Sequence, residues 1–206
     1  MYKVFFNQKP LILTNEIQEF SDSEPFMFIK YSNAGQIIKA LKSTKNTKVY
    51  LYHKNMAKLW KTFVKQFPVI EAAGGLVERK DNKLLFIFRN NMWDLPKGGV
   101  EKNELIIEAA KREVTEETGV SDLIVQNQLS ETYHIFKKGK RFRLKKTYWF
   151  SMSTNYTGQL HPQIEEGISK TEWISKDGII DFLNDAFENI RIIVKEVLEN
   201  NPFRDK

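Results

Sequence analysis

Apolar positions in the first third of the chain come in short runs separated by polar or turn-forming residues. Tyr2–Phe6, Leu11–Leu13, Phe26–Ile29 and Val49–Tyr52 are too short for helices and rich in aromatic and β-branched side chains, which predicts strands. Between them, residues 34–41 and 56–67 carry apolar positions at helical spacing, and Pro68 closes the second helix. The period changes at Val69. Two β-type runs joined by the turn-forming segment Lys80–Lys83 predict a hairpin. A Gly-rich loop, a helix crowded with glutamate, a strand over 123–129 and a long hairpin turning at Gly139 follow. Another strand is expected over 171–175. Leu183, Phe187, Ile190, Val194 and Val197 recur at spacings of three and four, the stripe of an amphipathic helix covering a sheet, stopped by Asn200, Asn201 and Pro202. This order of elements predicts an α/β chain. A small α/β unit over residues 1–67, near the lower size limit for independent folding, precedes a larger domain over 68–206.

The glutamate helix poses an electrostatic problem. Asn103 is expected to cap it, and its apolar face is Ile106, Ala110 and Val114, with Leu105 and Ala109 alongside. At 3.6 residues per turn, with Glu113 as origin, Glu117 falls about 40° to one side and Glu116 about 60° to the other. At 4 Å each pair of such carboxylates repels by about 1 kcal/mol in water and several times that near a protein surface. A hard divalent cation resolves the conflict, because magnesium takes oxygen ligands and is commonly shared between carboxylates and substrate phosphates. The Gly-rich turn ahead of the helix offers backbone N–H groups to an anion, and Lys97 adds a positive charge there.

Gly98, Glu104, the run Arg112-Glu113-Val114, the pair Glu116-Glu117 and the pair Gly119-Val120 stand at the intervals of the Nudix box. The stretch resembles the Nudix hydrolase superfamily, and the resemblance extends over about residues 69–198 without covering residues 1–66. It implies an α/β/α sandwich with a mixed sheet, and hydrolysis of a nucleoside diphosphate linked to another moiety. It also implies that Glu116 and Glu117 hold Mg2+, for which Mn2+ can substitute, with Glu113 as a further ligand or as the base, and that the Gly98 backbone contributes a carbonyl ligand or shapes the turn around the metal. Glu113 or Glu117 would share the catalytic work with a further glutamate from outside the box. Glu166, with Glu165 second, fills that place ahead of Trp173, and Glu104 and Arg112 would brace the loop and helix. Trp93–Gly98 is similar to the stretch before the box in enzymes acting on diadenosine polyphosphates, and partly to mRNA-decapping members.

Charge and composition refine this picture. The net charge is +6, yet residues 1–66 hold eleven lysines and four acids, and residues 137–146 hold seven basic residues and no acid. An acidic remainder with a concentrated basic segment predicts a bound cation in one place and an anion in another. Lys140, Arg141, Arg143 and Lys145 therefore join Lys97 as candidate contacts to a polyphosphate chain. The absence of cysteine excludes disulfides, thiolate metal sites and a cysteine nucleophile. No apolar run approaches the roughly 18 residues of a membrane span, so a cytoplasmic protein without a membrane partner is expected. The expected function is Mg2+-dependent cleavage of a phosphoanhydride in a nucleoside or dinucleoside polyphosphate. Alternative substrates are ADP-ribose or another nucleotide sugar, a nucleoside triphosphate, an inositol pyrophosphate and the 5′ end of RNA; a non-catalytic ligand sensor is the alternative of another class. The expected partner is a small phosphoanhydride, ahead of RNA, and residues 1–67 are a candidate homodimer contact.

Overall fold

The computed structural model describes residues 1–17, 19 and 21–199, so the helix stop at Asn200–Pro202 lies outside the described residues. Along the chain run β1 (Tyr2–Phe6), β2 (Lys9–Thr14), β3 (Phe26–Phe28), α1 (Ala34–Lys42), β4 (Val49–Tyr52), α2 (Met56–Gln66), β5 (Val69–Arg79) and β6 (Lys83–Arg89). They are followed by β7 (Met92–Asp94), β8 (Lys97–Gly99), α3 (Ile106–Thr118), β9 (Ile124–Gln128), β10 (Thr132–Lys138), β11 (Arg141–Thr154), β12 (Ile168–Ser175), α4 (Ile179–Phe182) and α5 (Glu188–Glu199). The described residues fall into two compact units, one within 1–70 and 132–146, the other within 71–131 and 147–199.

In the first unit, β1 and β2 form an antiparallel hairpin, β10 joins β1 in parallel, and β4 and then β3 extend the other side in parallel. Alternation along these strands turns Val4, Phe6, Leu11, Leu13, Val49 and Leu51 into one core, where α1 contributes Ile37, Ile38 and Leu41 and α2 contributes Leu59 and Phe63. Asn33 and Gln36 make a reciprocal capping box on α1, and Asn55 caps α2 through the Lys58 N–H. The compact unit differs from the boundary expected at residues 67 and 68. Residues 132–146 fall within it because β1 takes β10 as its neighbour, with Val4 opposite Tyr133, a long-range pairing that no local pattern announces.

In the second unit the strand order is β12–β6–β5–β11, the last contributing residues 147–154, with β7 on β6, β8 on β5 and β9 on β11. Val77, Leu85, Phe150 and Met152 face the side where α3 packs Ala109, Ala110 and Val114. Leu76, Leu84, Phe86 and Trp149 face the other, where α5 packs Ile190, Ile193 and Val194. The unit is thus a helix–sheet–helix sandwich. The C-terminal stripe is interrupted: a 3-10 turn occupies Leu183–Asp185 and α5 starts only at Glu188. The break has a partner, since Ala186 bridges Trp93 and the Phe187 N–H donates to the Trp93 carbonyl at 3.1 Å.

Candidate active site

The Gly-rich loop is held by sheet pairing. Gly98 lies opposite Ala73 in the β5–β8 ladder, and the Gly75 N–H donates to the Pro96 carbonyl at 3.2 Å. A side chain at Gly74 would collide with the Pro96 carbonyl and with Lys97, so this close approach requires glycine. The start of α3 differs from expectation. Asn103 sits in the left-handed region at φ 66°, and Leu105 takes the N-cap position with no side-chain hydrogen bond and its own side chain exposed. Glu104 shapes the entry instead, accepting from the Glu101 N–H at 2.9 Å. At the other end Gly119 adopts φ 78°, the left-handed cap that ends many helices.

The three box glutamates differ in surroundings. Glu113 lies against Gly98, where any Cβ would overlap its carboxylate. Glu117 is only 2% exposed, and its Oε2 accepts from the Lys97 N–H at 2.8 Å. The Glu116 side chain is about half exposed, at 47%. Arg112 stands among them. Its Nε and Nη2 donate to Glu104 at 2.8 and 2.9 Å, Nη1 donates to Glu113 at 2.8 Å and Glu116 at 3.0 Å, and Nη2 also reaches the Gly99 carbonyl at 2.9 Å. One guanidinium therefore ties the loop to the helix and separates two of the acids.

Beneath this cluster lies a buried ionic network that the sequence reading did not mark. Asp94 is buried and accepts from Lys97 Nζ at 2.6 Å and Arg89 Nε at 3.0 Å, while Arg89 Nη1 stands 4.0 Å from Glu117. Lys97, expected on a substrate phosphate, is instead buried with its ammonium on Asp94. Two cations and two acids share this pocket, so the charge balances where single ions would be costly. Burial works against ionised Asp94, but Lys97 and Arg89 together hold its carboxyl below the usual range. Burial pushes Glu117 up to about 7, against the pull of Lys97 and Arg89. Glu113 is also raised, first by burial, with Arg112 opposing and the charges of Glu116 and Glu166 adding to the rise.

Glu166 ends a 3-10 turn, Ile164–Glu166. The segment before it is tied to the end of α3, because the His161 N–H donates to the Thr118 carbonyl at 2.8 Å and the Gln163 N–H to the Glu117 carbonyl at 3.3 Å. Its charge reaches Glu113 and Arg89. Glu165 occupies the same exposed turn. The structure thus gathers Gly98, Glu104, Arg112, Glu113, Glu116, Glu117 and Glu166 in the second unit. Lys140, Arg141, Arg143 and Lys145 belong to the first unit, with Lys145 Nζ 5.3 Å from the Phe136 ring centre.

Among the described residues no three acids or histidines are arranged to hold an ion unaided. The donor set nevertheless suits a hard cation: it consists of carboxylate oxygens, and the raised Glu113 and Glu117 would regain ionisation beside one. Carboxylates that lend a cation to phosphate oxygens are the equipment of enzymes that split acid anhydrides. The NUDIX domain profile matches residues 69–195. The chain belongs to the Nudix family and is a pyrophosphohydrolase acting on acid anhydrides. It is 31% identical over 156 residues to the RNA pyrophosphohydrolase of Pelagibacter ubique (strain HTCC1062), covering 64% of this chain and 94% of that protein. To the RNA pyrophosphohydrolase of Bartonella henselae it is 32% identical over 76 residues, covering 33% of this chain and 43% of that protein. The solved MutT protein from Methanosarcina mazei Go1 shares the fold at a TM-score of 0.52 and 19% identity, covering 66% of this chain and 98% of that one. No helix among the described residues is long and apolar enough to cross a membrane.

Proposed function

We propose that this chain hydrolyses a phosphoanhydride bond in a nucleoside or dinucleoside polyphosphate, with Glu113, Glu116 and Glu117 holding Mg2+, or Mn2+ in its place. The observation that carries the reading is the gathering of Glu113 and Glu117 against the Lys97–Gly98 backbone, where Gly98 leaves room only for Glu113, with Glu116 joined to Glu113 through Arg112. When bound, the cation polarises phosphoryl oxygens and makes water a stronger nucleophile. The chain supplies the positioning. The Lys97 N–H fixes one Glu117 oxygen, Arg112 spaces Glu113 from Glu116, and the turn tied to α3 presents Glu166 to the same space. In the reaction a water oxygen bonds to phosphorus as the bridging P–O bond breaks, and the proton of the water passes to a carboxylate, for which Glu166 and Glu113 are the candidates.

A second reading takes the 5′-triphosphate end of RNA as substrate. It is favoured by the relative named an RNA pyrophosphohydrolase, which aligns over 94% of its own length. Product analysis decides between the two, with diadenosine tetraphosphate, 5′-triphosphorylated RNA, ADP-ribose, nucleoside triphosphates and an inositol pyrophosphate, each with Mg2+. Turnover of the dinucleotide at least tenfold above the others supports the first reading, and the same preference for RNA supports the second. No turnover of any, with Mg2+ binding intact, leaves a ligand sensor.

A further inference from the structure

The division of the chain into two units sorts its charge. Residues 1–70 and 132–146 together hold eighteen lysines and arginines and only four acids, a net +14, so the remaining residues carry −8. Between Pro25 and Ile70 there are nine lysines and no acid at all. Folding does not require this. Helix propensity would be served as well by glutamate, and mixed charges on α2 would add stabilising pairs at spacings of three and four.

The excess has a shaped focus at the carboxyl ends of the parallel strands β3 and β4. A groove of about 450 Å³ opens there, lined by Lys30 and Ser32 after β3 and by His53, Lys58, Lys61 and Lys65 around α2. No carboxylate lines it. Lys58, Lys61 and Lys65 lie along one face of α2, all are exposed, and among the described residues none makes an ion pair. His53 is held in place by the Asn55 N–H, which donates to its Nδ1 at 2.9 Å. Next to Lys30, at the end of the groove, stands one exposed aromatic ring. Tyr31 is 72% exposed, with Lys30 Nζ 5.2 Å from its ring centre, whereas Phe28 packs edge-on to Tyr52 on the other side of the sheet. Phe26, Phe28, Tyr50 and Tyr52 share the sheet face opposite the α1–α2 core, as the register of Phe26 with Tyr50 and Phe28 with Tyr52 requires.

Lysines without carboxylate partners track a phosphodiester backbone, and an exposed ring next to them offers a face on which unpaired bases stack. A small anion would engage the lysines and leave the ring unused. A duplex would keep its bases stacked on each other. We infer that the first unit binds single-stranded nucleic acid along the Lys30–His53–α2 groove, with Tyr31 as a stacking face. This binding is separate from hydrolysis and does not rest on either substrate reading.

The test is fluorescence anisotropy of the full chain with a single-stranded RNA 20-mer bearing a 5′-hydroxyl, which offers no phosphoanhydride. Parallel arms use the same DNA strand, the RNA duplex and heparin. Single-strand binding is expected to weaken with salt at a log–log slope of about 3 in magnitude, from about 0.7 per phosphate contacted by the four lysines. Lys58→Gln/Lys61→Gln/Lys65→Gln should lower that slope by about two and weaken binding at least tenfold while diadenosine tetraphosphate hydrolysis keeps its wild-type rate. Tyr31→Ala should weaken the single strand at least fivefold and leave heparin binding unchanged. If the triple variant does not fold, Lys61→Gln alone should cost about threefold. RNA and DNA strands bound alike support the stated class. Wild-type affinity in the folded lysine variant overturns the inference, as does a duplex or heparin bound as tightly as the single strand. Loss of hydrolytic activity with RNA binding retained would count against the proposed reaction and leave this inference standing.

Discussion

At the scale of single residues, Gly98 and Asp94 do the least visible work. Gly98 holds no catalytic atom, yet Glu113 occupies the volume its side chain would need. Gly98→Ala should therefore displace the Glu113 carboxylate, the flexible end of a side chain, with little loss of stability, and lower turnover at least tenfold, read from urea unfolding and steady-state rates. Asp94 lies in the pocket with Lys97 and Arg89. Asp94→Asn leaves the buried Lys97 and the partly buried Arg89 facing an amide, and loss of one partner of a buried pair costs about 3–5 kcal/mol, measurable by the same unfolding. The box glutamates were legible in the sequence because helical spacing alone puts them on one face. Asp94 and Arg89 were not, since their meeting depends on β6 and β7 pairing with Arg89 opposite Met92. Lys97 was misjudged for a related reason: an isolated lysine beside a Gly-rich turn looks available until the buried aspartate three residues earlier is seen to hold it.

At the scale of elements, the loop and helix of the site are joined through Arg112 and Glu104. The Arg112 hydrogen bonds hold the Glu104 carboxyl at about 2, below its free value of 4.5, with the Glu101 N–H helping. A carboxyl lowered on folding contributes stability that is complete above the unfolded value and is lost as pH falls through the folded one. Glu104→Gln should therefore flatten the decline in stability between pH 4.5 and about 2, with little change in slope at neutral pH, as checked by urea unfolding across that range. Most elements were readable from periodicity, since their apolar faces repeat at two or at three and four. β7 and β8 were not, being three residues each and formed only where β6 and β5 offer partners. The helix start was misplaced because Asn103 has the chemistry of a cap but lies in a left-handed turn two residues before Leu105. The C-terminal stripe hid its break for the same kind of reason, as the pairing of Ala186 with Trp93 is invisible to local spacing.

At the scale of the molecule, a chain that reads as a lysine-rich segment followed by an acidic domain becomes two units of opposite charge. The family profile begins at residue 69, while the compact first unit also takes residues 132–146 through β10. That crossover concentrates both basic segments in one unit. The acidic unit should be stabilised by the ion its glutamates would bind. At Mg2+ a hundredfold above its dissociation constant the gain is about 2.7 kcal/mol. For a chain of this size that is roughly 5–10 °C in Tm, absent in Glu116→Gln/Glu117→Gln and not reproduced by NaCl of equal ionic strength. Turnover of diadenosine tetraphosphate and 5′-triphosphorylated RNA, with Mg2+ and with EDTA, in wild type and Glu117→Gln, tests the assignment most directly. The account predicts that the wild type hydrolyses at least one of the two only with Mg2+, and that Glu117→Gln loses at least a hundredfold. Equal wild-type rates in EDTA, or wild-type rates in Glu117→Gln, would contradict it.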